Sequence, residues 1–183
     1  MKQRIYLIYP IWIIIAFAGC KSTTSFMDKE TGIKITLPEK ANSVESLSLE
    51  NKFSGKFYRK IDESFTLKWD ENYVINNEIY VGINFGSNSG FSNPIKQASD
   101  LAGGTNAISS AFEREDRNIN NRDYLILFYM KKGNDNDYFV DFNSDLSNPV
   151  RAWGRIRFPA TFPLERIRKE TYNILSGIEF KKK

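Results

Sequence analysis

Tyr124-Leu-Ile-Leu-Phe-Tyr-Met130 is the stretch that decides the fold. Seven consecutive apolar or aromatic residues show neither the alternation of a strand with one wet face nor the 3.6-residue period of a surface helix. A run of this length reads as a strand buried on both faces, and such a strand predicts a central place in a sheet covered on both sides. Turn chemistry brackets it, with Asn120-Asn121 before and Gly133-Asn134 after. Tyr138-Phe-Val-Asp-Phe142 reads as the next strand, residues 143–149 as a turn and residues 151–158 as a third strand, so a meander is expected. Ahead of the run, residues 105–117 are expected to add a strand that ends in Glu113-Arg-Glu-Asp-Arg117.

Further out, Asn76-Asn77 is a turn signal, and Ile79, Val81, Ile83 and Phe85 alternate with Tyr80, Gly82 and Asn84 as in a strand. Residues 57–61 and 64–70, the latter with Phe65, Leu67 and Trp69 on one face, make this a group of three antiparallel strands. Ile33-Lys-Ile-Thr-Leu-Pro38 alternates and is stopped by its proline, and residues 39–56 read as a loop with room for a short strand. Asn93-Pro94 opens a helix in which Ile95, Ala98, Leu101 and Ala102 form a stripe and Gly103-Gly104 marks the stop. A second helix starts at Pro163, buries Leu164, Ile167, Thr171, Ile174 and Leu175, and ends at Gly177 before the short strand Ile178-Glu-Phe180. This order predicts an α+β fold, a single antiparallel β-sheet with flanking helices in an α/β/α-like sandwich.

The first residues carry a different signal. Lys2 and Arg4 precede an apolar run from Ile5 to Ala18 that is interrupted only by Pro10. As a helix its 14 residues reach about 21 Å, short of the ~30 Å of a hydrocarbon core, so an export signal is expected rather than a membrane-spanning anchor. Phe17-Ala18-Gly19-Cys20 resembles the lipobox of bacterial lipoproteins, with Phe17 where that motif usually has Leu. The resemblance implies cleavage before Cys20 and lipid attachment to its sulfur. Lys21 stands where Asp would signal retention in the inner membrane, so it implies an outer-membrane location if the cell has two membranes. The expected organisation is a signal peptide over residues 1–19, a lipidated cysteine and tether over 20–26, and one domain over 27–183.

Composition excludes more than it suggests. The chain has no His and its one Cys is Cys20, which rules out a His-based triad, a His-containing zinc site and a disulfide within the domain. Without Lys2 and Arg4, 24 basic residues face 22 acidic ones, a near-neutral balance that offers nucleic acid no strong attraction. The charge is unevenly placed, at +6 over residues 151–183 and −4 over residues 20–150.

Asp28-Lys-Glu-Thr-Gly-Ile-Lys-Ile-Thr-Leu-Pro38 and the closing Ile174-Leu-Ser-Gly-Ile-Glu-Phe180 are similar to the opening and ending of PsbP/Mog1-like domains. That resemblance implies an antiparallel sheet flanked by helices, and a binding or assembly module rather than a catalyst.

Three segments are candidate sites. On a strand Arg151, Trp153, Arg155 and Arg157 share one face, a row of cations around an indole fit for anionic headgroups, a glycan or an acidic protein surface. The competing reading is cross-strand charge balance with Asp137 and Asp141, which share a face of the preceding strand with Phe139. Asp141-Phe-Asn-Ser-Asp145 spaces oxygens like a calcium loop, but Leu146 replaces the turn glycine and Ala152 the bidentate Glu, so turn chemistry is preferred and no metal site is assigned. The carboxylates of Glu113, Glu115 and Asp116 are flanked by Arg114 and Arg117, which suits a solvated charged strand better than an acid–base pair.

The expectation is a membrane-anchored, non-enzymatic envelope lipoprotein that needs no cofactor. It is held to the membrane through lipid at Cys20, binds a protein or other envelope component, and does not bind nucleic acid. The alternatives are an envelope enzyme using carboxylate or Lys chemistry on glycans, and a protective or stress-related surface lipoprotein.

Overall fold

A computed structural model describes residues 25–38, 40–43, 69–87 and 93–181. In chain order these form β1 (Ser25–Met27), β2 (Ile33–Thr36), β3 (Ala41–Ser43), β4 (Glu71–Ile75), β5 (Ile79–Ser87), α1 (Pro94–Ala107), β6 (Ser109–Ile119), β7 (Arg122–Lys131), β8 (Asp137–Ser144), β9 (Val150–Pro159), α2 (Leu164–Ser176) and β10 (Ile178–Phe180). Asparagine sets two of the hairpins. Asn120 and Asn121, at φ 52° and 60°, make the two-residue left-handed turn that joins β6 to β7, and Asn76 and Asn77, at 53° and 58°, begin the longer turn through Glu78 that joins β4 to β5.

Seven strands form an antiparallel sheet in the order β3-β4-β5-β9-β8-β7-β6, and β1, β2 and β10 form a separate sheet of three in the order β1-β2-β10. The expected meander is present as β6 to β9. Two sheets replace the single one expected, because β10 turns back to pair with β2 instead of joining the larger sheet. The apolar run of β7 lies second from the edge, and β9 holds the middle. Its residues 124–129 are nevertheless all buried, since α1 covers one face and α2 lies over the other.

Alternation then sorts the side chains. On the α2 face, Ile126 and Phe128 of β7, Val140 and Phe142 of β8, Ile156 and Phe158 of β9 and Val81 and Ile83 of β5 pack with Ile33 and Ile35 of β2 and Ile178 of β10. Helix α2 contributes Ile167, Thr171, Ile174 and Leu175, spaced as one helical stripe. On the opposite face Ala98 and Ala102 of α1 meet Leu125, Leu127 and Leu146.

Several local expectations are revised. Asn93 caps α1 as predicted, its side chain accepting from the Lys96 N–H at 3.0 Å, but Ile95 is 84% exposed rather than part of the buried stripe. The helix runs through Gly103-Gly104 to Ala107, because a glycine on a wet helical face costs only about 1 kcal/mol and the helix is held by its alanine stripe. Strand β4 lies where the sequence shows no strand pattern: Asn72 is buried and bonded to the Tyr80 hydroxyl, which breaks the apolar alternation. Strand β3 falls in the segment read as loop, and the expected strand at 57–61 and most of that at 64–70 lie outside the described residues.

Gly177 is where α2, β2 and β10 meet. The Thr36 N–H donates to its carbonyl at 2.8 Å, and a Cβ on Gly177 would stand 1.9 Å from the Thr36 oxygen. Gly177→Ala is therefore expected to lower stability by about 2 kcal/mol or more, as seen in denaturant midpoints, because the obstructing atom is backbone. Gly103 and Gly104 have nothing within 4 Å of such a Cβ. Alanine at either is expected to raise stability by about 0.4–1 kcal/mol in the same assay.

Candidate functional site

The arginine row of β9 lies as alternation dictates, on the sheet face opposite α2. Arg155 faces Gly82 of β5 and Asp141 of β8, while Arg157 faces Tyr80 and Phe139. Arg155 reaches Asp141 with two parallel bonds of 2.6 and 2.8 Å, the bidentate fork of a strong carboxylate pair. Arg157 donates to Asp137, the diagonal neighbour. The row is not an open cationic surface, since Arg151 and Arg157 are each only 6% exposed. Burial pulls the Arg151 guanidinium below the usual arginine value. Arg155 sits 5.9 Å from the Tyr129 ring and 5.8 Å from the Phe139 ring, and these two rings stack on each other. Trp69 lies flat on Gly82, so close that a Cβ there would stand 2.6 Å from the indole. Trp153 is half-buried, with Arg151 5.7 Å from its ring.

The acidic segments are engaged as well. From α2, Arg168 bonds Glu113 and stands 3.1 Å from Glu115, and the Tyr172 hydroxyl donates to Glu115 at 2.5 Å. Arg117 covers the Tyr172 ring at 3.9 Å. Burial first, and then the hydrogen bond to Glu115, raises the Tyr172 phenol above its ordinary value. These contacts fasten the edge strand β6 to α2. Asp145 accepts from the Ser147 N–H and hydroxyl and lies 3.5 Å from Arg122, which is turn chemistry, while Asp141 points to Arg155. Among the described residues no three metal-ligating side chains come together.

One opening lined by described residues has no counterpart in the sequence reading. It is an open cleft of about 960 Å³ at one end of the molecule, where the turns at 120–121 and 145–149 face residues 29–32 and the end of β10. Three basic residues (Lys29, Arg122, Lys181) and three acidic ones (Glu30, Asp145, Glu179) line it with the amides of Asn120, Asn121 and Asn148. Arg122 stacks on Phe180 at 3.9 Å, and the Asn120 amide donates to the Ser176 carbonyl at 2.7 Å. Four segments distant in sequence build this cleft. No local spacing announces it, although its Asn120-Asn121 pair reads in the sequence as a turn. Cys20 lies outside the described residues.

The solution structure of cyanobacterial PsbP (CyanoP) from Synechocystis sp. PCC 6803 matches 90% of this chain and 96% of its own, with a TM-score of 0.50 and 9% sequence identity. The fold is PsbP-like. A crystal structure from Bacteroides thetaiotaomicron VPI-5482 at 1.50 Å resolution matches 87% of this chain with a TM-score of 0.50 and 11% identity, and the chain spans about half, 48%, of that one's length. No protein-family model and no curated protein sequence matches the chain.

In this PsbP-like sheet the charged face of β9 is part of the interior, which makes its ion pairs structural. Removing one partner of a buried pair leaves the other charge without compensation. Asp137→Ala is therefore expected to cost about 3 kcal/mol in equilibrium unfolding, whereas Asp116→Ala, at an exposed pair with Arg114, is expected to stay within about 0.5 kcal/mol of wild type.

Proposed function

We propose that this chain is a lipid-anchored bacterial lipoprotein whose PsbP-like domain is a non-enzymatic binding or assembly module of the cell envelope, on the outer membrane where there are two. The observation that carries the reading is Phe17-Ala18-Gly19-Cys20 behind two positive charges and a short apolar run. A sole cysteine at that position has lipid attachment as its chemical use, and that modification supplies the several acyl chains that stable anchoring needs. The first strand begins at Ser25, so the residues between it and Cys20 hold the domain within about 18 Å of the lipid. Among the described residues no helix is long and apolar enough to cross a membrane.

Binding rather than catalysis is favoured by the state of the carboxylates. Glu113, Glu115, Asp137, Asp141 and Asp145 each hold an arginine or a tyrosine hydroxyl within the fold. The cleft is the recognition surface. Its matched charges and asparagine amides suit a polar loop of a protein or another envelope component, and offer no cationic track for nucleic acid.

Fatty-acid labelling of cells carrying wild type or Cys20→Ser, with protease added to intact cells, tests the anchor. Label is expected on wild type alone, with Cys20→Ser released from the membrane fraction; an unlabelled, freely soluble wild type overturns the reading. A photo-crosslinker at Asn121, in the cleft, is expected to capture a partner that one at exposed Lys96 on α1 does not.

A further inference from the structure

Strand β6 is the end strand of the larger sheet, and among the described residues no strand pairs with its outer side. Such an edge offers alternate N–H and C=O groups to any chain that fits. Proteins commonly protect edges with proline, bulges or charged side chains, and a charged edge admits a partner strand whose charges oppose its own. Here the segment Glu113-Arg-Glu-Asp-Arg117 has no proline, the one register shift lies at the strand's start between Ser109 and Ala111, and the charges are mixed.

The mixture is complementary to its own reverse. When two copies of one strand meet on a two-fold axis they run antiparallel and one residue faces its own copy, because every contact of i with j must be matched by j with i. Three registers bring the charges together. Centring on Arg114 sets Glu113 against Glu115 and Arg114 against itself. Centring on Asp116 pairs Glu115 with Arg117 but sets Asp116 against itself. Centring on Glu115 pairs Glu113 with Arg117 and Arg114 with Asp116, each twice, and leaves only Glu115 facing its copy. That remaining like-charge contact is offset inside each protomer, where Glu115 holds the Tyr172 hydroxyl and Arg168. Opposite charges directly across a strand pair attract and like charges repel, so the third register stands apart.

A second observation falls at the same place. Ile95 on α1, the most exposed of the large apolar side chains described, shares a groove of about 410 Å³ with Arg114, Asp116 and Asn118 of β6. A two-fold axis across the β6 edges keeps both copies of α1 on one face of the joined sheet, where each groove borders the strand that forms the seam.

We propose that two copies of this chain associate through β6 in the register centred on Glu115, joining their larger sheets into one. The association is independent of the lipid anchor. It rests on one strand ladder and exposed ion pairs, so it is reversible and sensitive to salt.

Sedimentation of the purified full-length chain over a concentration series tests this. Wild type is expected to show a monomer–dimer equilibrium. Arg114→Asp, which sets Asp against Asp116 twice, is expected to weaken it about tenfold or more, and Arg114→Asp with Asp116→Arg to restore it to within about threefold. Both residues are exposed and pair with each other, and denaturation midpoints verify that the monomer fold is kept. A wild type that is monomeric at every concentration, or a dimer indifferent to Arg114→Asp, overturns the proposal. Register is read separately with Glu115→Cys, whose sulfur would face its own copy across a gap a disulfide can close, and Ala111→Cys, which would lie far from its own copy. Oxidative cross-linking of the first above the wild-type background set by Cys20 is expected, and cross-linking of the second in its place overturns the register.

Discussion

Six consecutive residues of β7, Tyr124 to Tyr129, are buried, so the sheet that contains them must be covered twice. One cover is α2 with the small β1-β2-β10 sheet, whose Ile33, Ile35, Ile174, Leu175 and Ile178 share a core with the even-numbered residues of β7. The other is α1, which the chain lays across the odd-numbered side on its way from β5 to the far edge at β6. The alanines of that helix, where leucines would be bulkier, let it lie close on Leu125 and Leu127. The layer order of the domain thus follows from one run of side chains with no wet face.

The two faces of the sheet are built from different chemistry. The α2 face is aliphatic and aromatic, while the other carries Asp137, Asp141, Arg151, Arg155 and Arg157 among Tyr80, Tyr129 and Phe139. Buried ion pairs add little net stability, because desolvation offsets most of the attraction. They do constrain pairing. A one-residue slip of β9 would turn its arginines into the aliphatic core and set Ile156 and Phe158 against Asp137 and Asp141, so the charged face penalises every wrong register by far more than an apolar face would.

Much of this architecture is legible in the sequence because it rests on local chemistry. Asn120-Asn121 can adopt left-handed backbone and so marks a hairpin, Asn93-Pro94 caps a helix, and the alternation in 79–85 and 151–158 assigns faces correctly. What escaped depends on contacts between distant segments. Nothing near Ile178-Glu-Phe180 says that it pairs with β2, nothing near Asn72 says that Tyr80 will hold it inside, and no feature of β9 tells whether its arginines face water. The cleft belongs to the same class, since it exists only once four separated segments converge. The glycine pair in α1 misled for the opposite reason: local preference favoured a stop, and the apolar stripe outweighed it.

The partnership of β2 with β10 has a consequence for how the molecule is born. These strands are more than 140 residues apart, and Ile35 and Ile33 stand opposite Ile178 and Phe180 across the pair. A ribosome releases the earlier strand long before the later one, so the nascent polypeptide keeps an unfinished, sticky seam until β10 emerges. Closure of the core in this way waits for β10, and a chain that lacks Ile178-Glu-Phe180 leaves β2 without the strand that seals its inner edge.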